Sequence, residues 1–165
     1  MIRSVRPSDT PTLLSVACAT GLFEPADASA LLGGVLDALH ADELGPGHAA
    51  QFWAPNDESA PAGWVYYAPD AHADGVWNLW WIGVRPEDHG RGGGDSLLDA
   101  VEATVMAEAG RVLVIETSAL PPLARARAFY AKRGYVECGR VPDFYSVGDD
   151  KIIFAKRMGP PTPID

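Results

Sequence analysis

Several features are scarce or absent in this chain of 165 residues, and each absence narrows its possible functions. No apolar run approaches the roughly 20 residues that a helix needs to cross a bilayer. The N-terminus lacks the apolar segment of a secretory signal. Cys18 and Cys138 are the two cysteines, and they form neither a CxxC pair nor the spacing of metal ligands. We therefore predict a cytoplasmic protein with two free, buried thiols, no membrane partner and no metal.

Basic residues are missing from residues 7–84, where ten acidic residues lie. The other residues hold all 13 basic residues, and the net charge of the chain is −9. Nucleic-acid recognition usually needs a basic surface, so no nucleic-acid partner is expected. A site for an anionic ligand is expected in the second half of the chain. The acidic first half is also explained by a solvated surface.

Periodicity and turn residues predict one mixed α/β domain over residues 1–158, followed by a loose tail over residues 159–165. The run Val112 to Ile115 is apolar and mostly β-branched, which is typical of a strand buried on both faces. The predicted order is a strand (2–6), helices beginning at Thr10 and Pro25, strands (49–54, 63–68 and 76–84), a helix (95–109), a strand (112–115), a helix (121–134) and strands (135–141 and 152–158).

A glycine-rich loop, Asp88 to Asp95, joins the apolar strand 76–84 to the next helix. Glycines let an anion approach the backbone, and a helix start supplies N–H groups and a positive dipole. The loop is therefore interpreted as a diphosphate site, with a flexible connection as the alternative. The Lys-Ser/Thr ending of a P-loop is missing. The glycine spacing also disfavours a nicotinamide-dependent oxidoreductase.

Two segments carry a family resemblance. Residues 82–98 resemble the acetyl-coenzyme A motif Gln/Arg-x-x-Gly-x-Gly/Ala of the GNAT acetyltransferases, with His89 at the Gln/Arg position and Gly92 and Gly94 at the small positions. Residues 128–135 are similar to the family's Phe/Leu-Tyr-x-Lys-x-Gly-Phe. The resemblance implies a mixed, mostly antiparallel sheet of six to seven strands, splayed in the middle and flanked by about four helices.

The resemblance also implies acetyl-coenzyme A as the acyl donor. The backbone of residues 79–84 would pair with pantetheine, the loop amides would hold the diphosphate, and nearby cations would neutralise phosphates. Ordinary surface charge is the alternative role of those cations. A family asparagine is replaced by Leu123. The residues expected at the cofactor are Ile82, Gly83, Val84, His89, Gly90, Arg91, Gly92, Gly93, Gly94, Asp95, Arg127, Tyr130 and Lys132.

Two residues are candidates for proton transfer. Tyr130 matches the family's general acid, and a phenol can protonate a leaving thiolate. Glu116 matches the glutamate base of the ribosomal N-terminal acetyltransferases. A core tyrosine and a structural carboxylate are the alternative interpretations.

The acyl acceptor is predicted from aromatic and acidic residues. Trp80, Trp81 and Tyr145 are the expected contacts, because aromatic faces with carboxylates favour a cationic ligand. We expect direct transfer, in a ternary complex, to a small cationic amine or an amino acid. The same aromatics are alternatively core residues. A non-catalytic acyl-coenzyme A sensor and a peptide or protein N-terminal acetyltransferase are the alternative functions, and a homodimer is a further possible assembly.

Overall fold

The computed structural model describes residues 1–159, and the predicted tail beyond Gly159 lies outside them. The predicted fold class is confirmed, because the chain forms a mixed α/β structure with a seven-stranded sheet in the order β1-β2-β3-β4-β5-β7-β6. The strands are β1 (Ile2–Ser4), β2 (Ala49–Trp53), β3 (Gly63–Pro69), β4 (Val76–Val84), β5 (Val112–Ser118), β6 (Val136–Ser146) and β7 (Asp149–Arg157).

Within residues 1–159 the chain forms five α-helices and three short 3-10 turns. A 3-10 turn (Pro7–Asp9) precedes α1, another (Pro86–Asp88) follows β4, and a third (Pro121–Leu123) precedes α5. The α-helices are α1 (Thr10–Ala19), α2 (Pro25–Ala28), α3 (Gly34–His40), α4 (Gly93–Ala107) and α5 (Ala124–Lys132). No helix within residues 1–159 is long and apolar enough to span a membrane.

The described chain divides into two compact units. Unit 1 comprises Met1–Ala68 and Trp80–Ala103. Its strands β1, β2 and β3 pair antiparallel, with Phe52 opposite Trp64. Trp64 is fully buried and donates a hydrogen bond of 2.9 Å from Nε1 to the Leu13 carbonyl, which ties α1 to the sheet.

The helix predicted from Pro25 onward is interrupted by a π-helical turn, Ser29–Gly33, between α2 and α3. A π turn holds more residues than an α turn, so it shifts the faces on which later side chains lie. Within this turn Leu31 is 60% exposed, whereas the adjacent Leu32 is 8% exposed.

Unit 2 comprises Pro69–Leu79 and the chain from Thr104 onward. Val76–Leu79 of β4 pair parallel with β5, and β5 pairs antiparallel with β7. The prediction that β5 is buried on both faces is wrong in part. Leu113, Ile115 and Thr117 are buried on one face, whereas Val114 is half-buried and Glu116 is exposed on the other.

The last hairpin is longer than predicted. β6 continues past Val141 to Ser146, through shifts in its register with β7, and Asp143 takes a φ of 52° there. Pro142 and Asp143 are turn residues in most contexts, but here they lie in an irregular strand. The prediction of buried thiols is also wrong, because Cys138 on β6 is exposed and Cys18 is half-buried.

Candidate active site

The predicted diphosphate loop lies in unit 1, between β4 and α4. Gly90 has a φ of 79° and Gly92 a φ of 81°, a left-handed conformation that side chains disfavour. The Ser96 N–H donates to the Gly92 carbonyl at 2.9 Å, which is the first hydrogen bond of α4. The N–H groups of Gly93 and Gly94 therefore lie ahead of the helical hydrogen bonds, as an anion site at a helix start requires.

Gly93 is needed for packing. A Cβ at this position would lie 2.7 Å from Cε3 of Trp53, whose indole is buried. No side chain fits at that distance, so the start of α4 rests directly on the ring. The glycine-rich sequence thus fixes where the helix begins as well as exposing its backbone.

Asp88 is a functional candidate that the sequence reasoning missed. Its side chain is buried, with a relative exposure of 4% for the residue. Its carboxylate accepts hydrogen bonds from Arg91 Nη1 at 2.7 Å and from Arg85 Nε at 3.1 Å. Asp88 therefore fixes the guanidinium groups of Arg85 and Arg91 at the loop. The signal available in the sequence was an acidic residue with an arginine three positions before it and three after it.

His89 forms a hydrogen bond between the glycine-rich loop and the end of β4. Its Nε2 lies 2.9 Å from the Val84 carbonyl, and because a carbonyl only accepts, Nε2 carries the proton in this contact. The residue at the family's Gln/Arg position therefore makes a main-chain contact within unit 1.

Tyr130, the candidate acid, lies in unit 2 on α5. It is buried, and its ring lies 5.8 Å from that of Phe154 and 6.3 Å from that of Tyr135, between centroids. Burial raises the pKa of Tyr130 well above that of an ordinary tyrosine, because the phenolate would lose its hydration. The phenol therefore stays protonated across the physiological range, as a proton donor must.

Glu116, the candidate base, lies on β5 in unit 2. Its Oε2 is 2.6 Å from Nζ of Lys151, and its side chain is 34% exposed. A carboxylate has acceptor capacity on both oxygens, so one ion pair leaves Oε1 able to accept a proton.

Glu116 and Tyr130 lie on opposite faces of the sheet within unit 2. Phe154, which contacts Tyr130, is paired with Ile115 across β5 and β7, so these residues share one face. Successive residues of a strand point to opposite faces, so Glu116 points away from Tyr130.

Arg127 and Lys132, both expected near phosphates, have different surroundings. Arg127 Nη1 donates to the carbonyls of Ser118 at 2.7 Å and Leu120 at 3.0 Å, so it fixes the loop between β5 and α5. Lys132 ends α5 and is exposed.

Tyr145, an expected acceptor contact, lies on β6 among charged groups of unit 2. Its ring packs edge-on against Phe144, with centroids 5.0 Å apart. Partial burial raises the pKa of Tyr145, and the carboxylates of Glu116 and Asp149 raise it further. Asp149 in turn accepts a hydrogen bond of 2.5 Å from Ser118 Oγ.

The two tryptophans expected at the acceptor differ in burial. Trp80 is 57% exposed, whereas Trp81 is 8% exposed and packs against Phe23 and Trp64. Its indole also covers Gly83, where a Cβ would lie 2.5 Å from Cζ2. Within residues 1–159, Trp81 Nε1 is buried and has no hydrogen-bond partner, which is unusual for a buried donor.

Ile82, Gly83 and Val84, which were also expected at the cofactor, are the last three residues of β4. Ile82 and Gly83 are half-buried, and Val84 is buried and accepts the His89 hydrogen bond.

Within residues 1–159 no group of three or more His, Cys, Asp and Glu side chains is arranged to hold a metal ion.

Known proteins share this fold over nearly the whole chain. A family model described as the acetyltransferase (GNAT) domain matches residues 48–137, more than half of the chain. A Desulfovibrio desulfuricans protein assigned to the GNAT family is 31% identical, with a TM-score of 0.86 over 96% of this chain and 99% of that one.

Two further solved structures are similar at lower identity and support the fold alone. An aminoglycoside 6'-N-acetyltransferase complexed with coenzyme A is 16% identical, with a TM-score of 0.78 over 99% of each chain. The ribosomal-protein-S18-alanine N-acetyltransferase of Escherichia coli is 18% identical, with a TM-score of 0.73 over 98% of this chain and 96% of that one. No curated protein matches the sequence. The family match and the 31% identical structure together show that the chain belongs to the GNAT family and is an acetyltransferase.

Proposed function

We propose that this acetyltransferase moves an acetyl group from acetyl-coenzyme A directly to a small cationic amine or an amino acid, in a ternary complex. The choice of acetyl-coenzyme A as the acyl donor rests on the glycine-rich loop between β4 and α4 in unit 1. It combines the N–H groups at the start of α4 with two arginines held by Asp88. Main-chain donors and fixed cations together suit the diphosphate of coenzyme A. A solved relative of the same fold is complexed with coenzyme A.

The residues of unit 2 supply the proton steps in this proposal. Because Glu116 and Tyr130 lie on opposite faces of the sheet, Glu116 takes a proton from the acceptor ammonium through a bridging water. The amine nitrogen then forms a bond to the acyl carbon, and the carbon–sulfur bond breaks. Tyr130 donates its proton to the departing thiolate. The second proton that the nitrogen loses on becoming an amide restores the Tyr130 phenol, and Glu116 releases its proton to solvent. The raised pKa of the Tyr130 phenol argues against a role as the base at neutral pH, because the phenolate does not form there. It does not strengthen the phenol as an acid, since a higher pKa lowers the driving force for donation.

The acidic first half of the chain and the aromatic residues support a cationic acceptor. Trp80 offers an exposed ring, and an aromatic face attracts an ammonium group. The buried Trp81 N–H supports a ligand with a hydrogen-bond acceptor at this position. An aminoglycoside acetyltransferase, which acts on a small-molecule amine, shares the fold.

Thiol release from acetyl-coenzyme A, measured against a panel of amines, amino acids and peptides, tests the proposal. We expect cationic small amines or amino acids to outperform peptides. Peptide preference would point instead to a peptide or protein N-terminal acetyltransferase. A ribosomal-protein-S18-alanine N-acetyltransferase of Escherichia coli shares the fold. A thermal shift with acetyl-coenzyme A but no thiol release across the panel would indicate an acyl-coenzyme A sensor.

Two matched pairs of variants test the catalytic roles. Tyr130→Phe and Glu116→Gln should each lower turnover by about 10²–10⁴-fold, the usual contribution of a positioned acid or base. Tyr135→Phe, in the same aromatic cluster, and Glu137→Gln, exposed on β6, should retain turnover. Full turnover in Tyr130→Phe or Glu116→Gln would remove that residue's assignment.

Assembly and location remain predictions. β6 lies at one end of the sheet, and its exposed side chains include Val136, Val141, Phe144 and Tyr145. An exposed apolar edge strand can pair with another chain, which supports a homodimer. Light scattering that gives the mass of one 17.6 kDa chain at micromolar concentration would exclude it. Cytoplasmic location and a single domain also remain predictions.

A further inference from the structure

Lys151 is a charged residue of unit 2 that contacts Glu116. It lies on β7, and its side chain is only 13% exposed. Its Nζ lies 2.6 Å from Glu116 Oε2 and 3.6 Å from the centroid of the Phe144 ring. A largely buried ammonium is costly unless it is paired, and here one carboxylate and one aromatic face receive it.

The register of the sheet explains why the two charges meet. Lys151 lies opposite Ser118 on β5 and opposite Val141 on β6. Glu116 lies opposite Ile153 on β7 and is two residues from Ser118, so it is the diagonal neighbour of Lys151 on the same face. The ammonium is thus held between β5 and β6, and it fixes the carboxylate from one side.

A glutamate with a 34% exposed side chain would otherwise sample several rotamers. Ordering such a side chain costs conformational entropy, and a base that is displaced by about 1 Å can lose about 10²-fold in rate. The contact at Oε2 restricts the carboxylate and leaves Oε1 to accept the proton of the acceptor.

We propose that Lys151 is the positioning residue of acetyl transfer, which fixes the Glu116 carboxylate toward the acceptor amine. The proposal rests on the proposed role of Glu116 as base. Lys151 does not transfer the proton itself, since its ammonium already carries three protons and has no acceptor capacity.

A double-mutant cycle tests this proposal on the full-length chain. Kinetics with acetyl-coenzyme A and the best acceptor are measured for Lys151→Met, Lys151→Arg, Glu116→Gln and the double variant Lys151→Met with Glu116→Gln. Lys151→Met should lower kcat about 10- to 100-fold and leave the KM for acetyl-coenzyme A unchanged. Lys151→Arg, which keeps the charge, should recover most of the lost turnover.

Coupling separates this role from a structural one. If Lys151 acts through Glu116, Lys151→Met should cause no further loss in the Glu116→Gln background. Lys156→Met is the matched control, because Lys156 is on the same strand and contacts Tyr135, and this variant should keep full turnover. Melting temperatures show that each variant is folded at the assay temperature.

Failure of this proposal and failure of the proposed base give different results. If Glu116→Gln is slow and Lys151→Met is fully active, Lys151 has no positioning role and Glu116 remains the base. The same conclusion follows if the losses of turnover in the two single variants add up in the double variant. A fully active Glu116→Gln overturns both, whatever Lys151→Met does.

Discussion

At the scale of single residues, Trp80 and Trp81 show how neighbours on one strand take different roles. Trp81→Ala should lower the free energy of unfolding by about 3–5 kcal/mol, because it removes a large buried ring. Trp80→Ala should change it by less than about 0.5 kcal/mol, as exposed substitutions do. It should instead raise the KM for a cationic acceptor. Urea denaturation and acceptor kinetics of both variants measure this contrast, and equal losses of stability would contradict it.

The raised pKa of Tyr130 has a consequence for stability at alkaline pH. In the unfolded chain this tyrosine ionises near pH 10, whereas in the folded chain it stays protonated to higher pH. The unfolded state alone then loses a proton, so stability falls as the pH rises above 10. The slope from this residue is up to about 1.4 kcal/mol per pH unit.

Tyr130→Phe should remove this part of the alkaline loss. Melting temperatures between pH 9 and 11 should therefore fall less steeply for the variant than for the parent chain. Identical slopes for the parent and Tyr130→Phe would show that the phenol ionises equally in both states.

Sequence motifs indicate candidate residues but not the contacts that these residues make. The motifs indicate Tyr130 and the glycines, whereas the end of a strand and the family resemblance indicate Glu116. The clash that Gly93 avoids with Trp53, and the contact of Glu116 with Lys151, join residues 40 and 35 positions apart. Such pairs depend on tertiary packing and strand register, which the periodicity of a single segment does not contain.

At the scale of elements, the loop between β4 and α4 depends on Asp88. Asp88→Asn should lower the free energy of unfolding by about 1–3 kcal/mol, because it removes the charged partner of two arginine hydrogen bonds. It should also weaken acetyl-coenzyme A binding about tenfold as the loop loosens. Thermal melting and titration calorimetry measure the two effects.

Glu87→Gln is the matched control for that loop. Glu87 is adjacent to Asp88, but its carboxylate is exposed and lies 3.7 Å from Arg85. An exposed pair of this kind contributes little, so both quantities should stay near those of the parent chain. Tighter cofactor binding in Asp88→Asn would show that Asp88 competes with the phosphates for its arginines.

Some elements were predicted closely and others were not. β4 has the predicted bounds, Val76–Val84, because turn residues mark both of its ends. β6 extends beyond its prediction because an irregular strand accommodates Pro142 and Asp143. The π turn at Ser29–Gly33 was not predicted, since a single extra residue in a helical turn leaves the apolar composition unchanged.

At the scale of the whole molecule, two elements contribute to both units. β4 and α4 each run from one unit into the other. A strand or helix that is shared in this way is expected to unfold with both, so one cooperative transition is predicted. Calorimetry should give a ratio of calorimetric to van't Hoff enthalpy near 1, and acetyl-coenzyme A should raise the melting temperature. Two resolved transitions would show that the units fold separately.

The fold class of the whole chain was predictable because the alternation of strand and helix patterns is spread over all its segments. The acceptor was not, because its identity depends on the shape of a surface. The charge asymmetry along the sequence predicts only the sign of the charge on the surface that would bind the acceptor.

The opposite orientation of Tyr130 and Glu116 has a consequence for protein engineering. The side chains around Tyr130 are buried core residues, whereas Tyr145, near Glu116, is 47% exposed. Libraries that randomise Tyr145 should therefore retain a high fraction of folded clones. In the proposed mechanism such libraries change the acceptor side of the reaction and leave Tyr130, the proposed acid, unchanged.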